Sequence, residues 1–159
     1  MPRRPTTTPG HSVGRRSTQD QTCTLGAQNY SGSTSAHRST KRARLVKDGK
    51  TPTHTLTSYY IPTDVEGTPL VDPTVGPAGR GGGFAVLTLQ GLEPDHITES
   101  VYGRMPTPEE VTQLELPAGE PVMILKRCTY TAEHRVIEFA RGVHAASRFA
   151  WTYTFTIPD

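Results

Sequence analysis

The sequence contains no long hydrophobic run and only two cysteines. No stretch approaches the roughly 18 consecutive apolar residues of a membrane-spanning helix, and the basic N-terminus lacks the apolar segment of a secretory signal. The two cysteines do not suggest a disulfide framework, and the six histidines show no metal-ligand spacing. We therefore predict a cytoplasmic protein with no membrane association, no metal site and no cofactor.

The first forty residues are poor in apolar side chains. Only seven of them are apolar, whereas 21 are Ser, Thr, Pro or Gly. Such a segment cannot bury enough apolar surface to offset the entropy cost of ordering its backbone. We predict that residues 1–40 are disordered and that residues 41–159 form one folded domain.

Charge is divided unevenly along the chain. Residues 1–50 carry ten Lys or Arg and two acidic residues, while residues 51–159 carry seven and thirteen, although the overall charge is only +2. A basic N-terminal part on an acidic body either attracts polyanions or folds back onto its own domain.

After residue 41 the sequence alternates strand-like and turn-like segments. Asp48-Gly49 separates two extended runs, which is typical of a hairpin because glycine adopts a positive φ at little cost. Residues 63–83 are rich in Pro and Gly and predict a loop, either functional or mobile. The predicted strands are residues 41–47, 51–61, 96–104, 122–131, 136–144 and 149–157. This pattern predicts an α+β fold with a mostly antiparallel sheet and two or three short helices.

One short helix is predicted over residues 84–92, with Phe84 and Leu87 buried and Gly91 ending it. Three glycines at residues 81–83 precede this helix. They either let backbone N–H groups approach a ligand or act as a hinge.

A second short helix is predicted to begin after Thr107 and to stop before Pro117. Thr107 has the properties of an N-cap, and Glu110 three residues later completes a capping box. Val111 and Leu114 would form its buried side.

Three charged residues are candidates for ligand contacts. Glu138 lies in the apolar run 136–140, so it either has a partner or ligand inside the protein or faces solvent at a sheet edge. Arg42 and Arg44 share one side of the first strand, where they suit a carboxylate or phosphate, or form a solvated face or a nucleic-acid patch. No nucleophile–base pair stands out, so we do not expect an enzyme.

Three stretches carry a family resemblance. They are ARLVKDGKTPTHTLTSYYIPTDVEGTPL, GGGFAVLTLQGLEPDHITESVYGRMPTPEEVTQLELPAGEPVMILKR and VIEFARGVHAASRFAWTYTF. With these motifs, residues 41–157 resemble the UTRA domain, the effector-binding module of HutC-type transcription regulators in the GntR superfamily. The resemblance implies a chorismate-lyase-like fold, in which an antiparallel sheet of two related halves carries a small-molecule pocket.

The resemblance also implies where a ligand binds. By position, the family's pocket residues fall on Arg42, Arg44, Tyr59 or its neighbour Tyr60, Gly83, Phe84, Glu138 and His144. This favours the ligand interpretation of Glu138. Relatives that bind sugar phosphates tend to have serine at the position of Gly83, which argues against a phosphate effector.

The function that the resemblance implies is effector binding and dimerisation in a HutC/GntR-type regulator, with a small polar metabolite as effector. Residues 1–40 show no helical periodicity, so they do not resemble the winged helix-turn-helix of such regulators. We therefore expect a truncated regulator that forms a homodimer, or a heterodimer with an intact paralogue, and that reaches DNA only through a partner. Two alternatives are a chorismate-lyase-like enzyme and non-specific nucleic-acid binding by the basic N-terminal segment.

Overall fold

The computed structural model describes residues 39–71, 82–154 and 156–157, and the backbone of residues 24–25 and 28–29. Its strands are β1 (Thr24–Leu25), β2 (Gln28–Asn29), β3 (Thr40–Asp48), β4 (Thr51–Tyr60), β5 (His96–Arg104), β6 (Val122–Tyr130) and β7 (Val136–Ala145). Its helices are α1 (Pro62–Val65), α2 (Gly83–Leu89) and α3 (Pro108–Leu114). The predicted α+β class is confirmed. Apart from β1, β2 and residues 39–40, the segment predicted to be disordered lies outside the described residues.

Strands β3 to β7 form an antiparallel sheet in the order β3-β4-β7-β6-β5, and β1 pairs separately with β2. The β3–β4 hairpin turns after Asp48, where Gly49 has the expected positive φ of 58°. A second hairpin joins β6 to β7, and the two hairpins meet where β4 pairs with β7. Within this sheet only β3 and β5 are edge strands.

Side chains along each strand alternate between the two faces of the sheet. The register places Arg42, Ser58, Ala140, Arg127 and Glu99 in one row across the five strands. This row lies on the face that carries α1 and α2, which we call the α2 face. Residues one position further along each strand point to the opposite face, the α3 face.

Separate apolar clusters hold the helices on the two faces. The cluster on the α2 face comprises Tyr60, Val65, Leu70, Leu87 and Ile137. The cluster on the α3 face comprises Leu114, Leu116, Val122, Ile124, Val143 and Ala145. A smaller cluster contains Cys128 and Phe139, with Tyr59, Tyr130 and Val136 packed against it.

The predicted capping box of α3 is confirmed. The Thr107 hydroxyl accepts a hydrogen bond from the Glu110 N–H at 3.3 Å, and the Glu110 carboxylate accepts one from the Thr107 N–H at 2.9 Å. Arg104 at the end of β5 also donates two hydrogen bonds of 2.7 Å to Glu110. Leu114 is fully buried and Val111 packs against the same cluster, as expected.

Helix α2 is shorter than predicted and is covered on one side only. It ends at Leu89, and Gly91 follows with a φ of 77° while the Leu92 N–H bonds to the Leu87 carbonyl. Leu87 is buried as predicted, but Phe84 is 36% exposed because only one side of this short helix faces the cluster. The predicted loop 63–83 overlaps α1, and residues 72–81 lie outside the described part of the chain. No described helix is both long and apolar enough to cross a membrane.

The predicted strand at residues 149–157 is wrong for the residues described there. Residues 149–154 and 156–157 have no strand pairing, and Phe155 lies outside the described residues. The aromatic residues instead contact side chains on the α2 face: Phe149 and Trp151 lie against His144, and the Tyr153 hydroxyl donates to Glu99 at 3.0 Å. An alternating apolar and polar pattern produces a strand only where a sheet edge pairs with the backbone of the segment. This segment instead crosses the α2 face of the sheet.

The capping box makes a testable contribution to stability. We expect Thr107→Ala to lower the free energy of unfolding by about 1 kcal/mol, because one N–H in the first turn of α3 loses its acceptor. Thr112→Ala is the matched control, since Thr112 lies within the same helix and its hydroxyl donates to the Pro108 carbonyl; it should change stability by less than about 0.5 kcal/mol. Urea denaturation measures both, and equal losses would contradict the capping role.

Candidate functional site

A cavity lies on the α2 face between the sheet and the start of α2. Its volume is about 220 Å³. It is lined by Arg42, Arg44, Leu56, Tyr60, Gly83, Phe84, Arg127 and Glu138. These residues come from β3, β4, β6, β7 and α2, so five separate parts of the sequence meet there.

Five of the seven residues predicted to contact a ligand line this cavity. They are Arg42, Arg44, Gly83, Phe84 and Glu138. Glu138 is 4% exposed, so the interpretation that placed it at a solvated edge is wrong. The interpretation of Arg42 as part of a solvated face is wrong for the same reason, since Arg42 is 2% exposed.

Tyr59 does not line the cavity, and Tyr60 does. If the β3–β4 pairing continued without interruption from the Asp48–Thr51 pair at the turn, Arg42 would lie opposite Thr57 and therefore on the same side as Tyr59. A register shift between Val46 and Lys47 instead places Arg42 opposite Ser58, on the side of Tyr60. Tyr59 therefore points to the α3 face, where its ring stacks on Phe139 with 5.9 Å between centroids.

His144 shares the face of Glu138 but lies outside the cavity. It is six residues further along β7, a distance of roughly 20 Å at the rise of a strand. Its ring stacks on His54 with 4.6 Å between centroids and contacts Phe149 and Trp151. Gly142 is needed beneath it, because a Cβ there would collide with the His144 ring. His144 therefore belongs to an aromatic cluster.

Glu138 is held by three hydrogen-bond donors. Tyr60 donates to Oε1 at 3.0 Å, while Thr129 and Arg127 donate to Oε2 at 3.2 and 3.3 Å. A buried carboxylate is tolerated only when such donors and an opposite charge replace its water. The network fixes the Glu138 side chain at the wall of the cavity.

Among the described residues that line the cavity, three carry a guanidinium group and one, Glu138, carries a carboxylate. Burial, followed by the positive charge of Arg42, lowers the pKa of Arg44, which indicates that the two cations share a partly dehydrated region. Arginine in such a setting favours carboxylate and phosphate groups, because its planar donors match their oxygens. The lining therefore favours an anionic ligand.

Arg127 links the cavity to its surroundings. Its guanidinium lies 5.4 Å from the centroid of the Phe84 ring, a cation–π geometry, and its Nη1 lies 3.9 Å from a Glu99 oxygen. Phe84 thus covers Arg127 at the mouth of the cavity.

Tyr60 acts as a donor in the network. Burial, and after it the charge of Glu138, raises the pKa of the Tyr60 phenol. The group therefore keeps its proton at neutral pH and donates to Glu138, whereas an activated nucleophile would need a lowered pKa.

Sequence reasoning missed Leu56 and Arg127 as cavity residues, and it left Tyr60 open as the alternative to Tyr59. Arg127 and Thr129 alternate with Lys126 and Cys128, so the sequence shows that they share one side of β6. The pairing of β6 with β7, which places Thr129 opposite Glu138, required the structure. Among the described residues, no group of three or more His, Cys, Asp or Glu side chains could hold a metal ion.

The UTRA domain family model matches residues 41–150. This chain belongs to the UTRA domain family. An uncharacterized HTH-type transcriptional regulator of Streptomyces coelicolor is 60% identical to this UTRA domain over 118 residues, which are 74% of this chain and 44% of that relative. The chain thus spans less than half of the relative's length.

Solved structures share the fold of this UTRA domain. A transcriptional regulator from Streptomyces coelicolor superposes with a TM-score of 0.66 at 22% identity, covering 80% of this chain and 81% of the other. The effector domain of PhnF from Mycobacterium smegmatis gives 0.63 at 16% identity, with 74% and 69% covered. The C-terminal domain of the histidine utilization repressor from Pseudomonas syringae gives 0.57 at 18% identity, with 71% and 75% covered.

The aromatic cluster predicts a dependence of stability on pH. Burial, followed by the neighbouring His54, lowers the pKa of His144 to about 4. An unfolded histidine takes up its proton near pH 6.5, so stability falls as the pH is lowered from about 6.5 towards 4. We expect a loss of about 2 kcal/mol between pH 7 and pH 5 in urea denaturation.

The variant His144→Phe should be less sensitive to this pH change, because it keeps an aromatic ring but cannot titrate. His134→Asn is the control: His134 is exposed in the β6–β7 turn, with a φ of 61° that asparagine tolerates. It should retain the pH dependence of the unaltered chain. A pH dependence that is the same with and without His144 would contradict this account.

Proposed function

We propose that this UTRA domain is the effector-binding domain of a GntR-family transcription regulator, and that the cavity under α2 takes a small anionic metabolite. The observation that carries the proposal is the cavity itself, in which three arginines surround a fixed carboxylate. A metabolite bound there would change the DNA affinity of the regulator through a coupling free energy of about 1–3 kcal/mol.

The names of related proteins support the regulatory part of the proposal. The Streptomyces coelicolor relative is called an HTH-type transcriptional regulator, and one structural neighbour is called an effector domain. Another neighbour is a domain of a histidine utilization repressor, which is consistent with the HutC subtype. Because the chain spans 44% of the HTH-type relative, DNA binding is proposed for the assembled regulator only.

The partners form part of the same proposal. We propose that the domain forms a homodimer, or a heterodimer with an intact paralogue, and that DNA is reached through such a partner in the cytoplasm. We also propose that the domain is not an enzyme; burial and the charge of Glu138 raise the pKa of Tyr60, which argues against this phenol as a phenolate nucleophile or base.

The test is ligand binding to the full chain. A panel of amino acids, hydroxy acids, dicarboxylates and sugar phosphates is screened by thermal shift, since a ligand of the folded state raises Tm by mass action. For any ligand found, Arg44→Ala should weaken binding about tenfold or more, because a charge-assisted hydrogen bond is lost.

Lys47→Ala is the matched control for Arg44→Ala. It removes the same charge from the same strand, but Lys47 is exposed and does not line the cavity. Binding should be unchanged in this variant. Equal affinities in the two variants would show that the cavity is not the effector site.

A further inference from the structure

We infer that two copies of this chain associate through the β5 edge of the sheet, by antiparallel pairing of β5 with β5 of the second copy. This inference rests on the homodimer in the proposed function, and it names the surface that such a dimer uses. It depends on the regularity of β5, on its charge, and on the apolar side chains that it exposes.

The main sheet ends in two strands that each have an open side. Among the described residues, β3 pairs only with β4, and β5 pairs only with β6. The outer N–H and C=O groups of such a strand can pair with another chain, so edge strands usually carry features that prevent this pairing. The two edges of this sheet differ in those features.

Strand β3 carries the features that oppose association. Its nine residues, TKRARLVKD, include four Lys or Arg and one acidic residue. Its pairing with β4 is also interrupted by the register shift between Val46 and Lys47. Two copies of β3 side by side would bring like charges together, and the irregularity distorts the line of backbone groups. We therefore do not expect association through β3.

Strand β5 is regular, and its charges are balanced. All nine of its residues pair with β6 without a register shift. The Glu99 carboxylate lies 3.9 Å from the Arg127 guanidinium, and the Arg104 guanidinium lies 2.7 Å from the Glu110 carboxylate. The two charged side chains of β5 are thus paired within their own chain, so a second copy of β5 is not repelled.

Strand β5 also exposes apolar side chains on both faces of the sheet. Ile97 and Val101 share the α2 face with Glu99, while Tyr102 lies on the α3 face. Ile97, Val101 and Tyr102 are all exposed. A neighbouring strand would cover these side chains, so pairing at this edge buries apolar surface in addition to forming backbone hydrogen bonds.

A second copy of β5 fits this edge. A strand that pairs antiparallel with its own copy has twofold symmetry, so both copies use the same residues and the contact closes as a dimer. An axis at Val101 places Val101 opposite Val101 of the second copy and Ser100 opposite Tyr102, with no like charges opposite each other. An axis at Glu99 would place two carboxylates opposite each other, which is unfavourable. Because the charges of β5 are already paired, the edge offers little to a partner that is selected by charge.

Sedimentation velocity of the full chain tests whether it associates. We expect a species of twice the 17.3 kDa mass of one chain at micromolar concentrations. A chain that stays monomeric up to about 200 µM would overturn the inference.

A variant tests the position of the contact. Val101→Lys places two ammonium groups opposite each other at the twofold axis, so the dissociation constant of the dimer should rise about tenfold or more. Leu45→Lys is the matched control, because Leu45 on the other edge strand is exposed to the same extent, 39% against 38% for Val101. It should leave the dissociation constant within about twofold of that of the unaltered chain. Equal dissociation constants in the two variants would overturn the inference.

Hydrogen exchange of the unaltered chain locates the contact without a variant, which covers the case that Val101→Lys fails to fold. The N–H groups on the outer side of β5 should exchange about tenfold or more slowly once the concentration exceeds the dissociation constant, because they are then hydrogen-bonded. Slow exchange already in the dilute monomer would show that a segment of the same chain covers the edge. Fast exchange in the dimer would show that another surface is used. Either result would overturn the inference.

The failure of this inference differs from the failure of the proposed function. If the chain dimerises but Val101→Lys and Leu45→Lys have equal dissociation constants, the proposed homodimer stands and only its assignment to β5 fails. If the chain is monomeric, the proposed homodimer fails as well. Effector binding is tested separately by Arg44→Ala, since the described residues that line the cavity include none from β5.

Discussion

The arrangement of this domain depends on one buried carboxylate. Glu138 lies in the middle of the sheet, on a strand that is otherwise apolar, and its charge is tolerated because Tyr60, Thr129 and Arg127 donate to it. These donors come from the strands on both sides of β7. The interaction therefore joins the two hairpins and also fixes the polar wall of the cavity.

The two faces of the sheet carry different kinds of side chains. The α3 face is apolar where α3 packs, and the capping box and Arg104 fix the position at which that helix begins. The α2 face carries an apolar cluster under α1 and α2, the charged cavity, and the aromatic cluster around His144. Glu138 and His144 lie six residues apart on β7 and point to the same face. Glu138 belongs to the charged cavity, whereas His144 belongs to the aromatic cluster.

Local signals in the sequence predicted those parts of the structure that depend on neighbours in the chain. The Asp48-Gly49 turn, the capping box at Thr107 and the glycine at the end of α2 each act through backbone groups within a few residues. The same reasoning placed Arg42 and Arg44 on one face, because alternation in a strand is a local property. It failed for the segment after residue 148, where alternation alone cannot show whether a sheet edge accepts the backbone.

The sequence by itself determined the five strands of the main sheet, helices α2 and α3, the antiparallel class and, through the family resemblance, five of the residues that line the cavity. Only the tertiary structure decided that Tyr60 and not Tyr59 faces Arg42, since one register shift near Val46 reverses the side of every later partner. It also decided that Arg127 reaches Glu138 and that His144 does not reach the cavity. These outcomes depend on which strands pair and in which register, and that is set by packing between residues far apart in the chain.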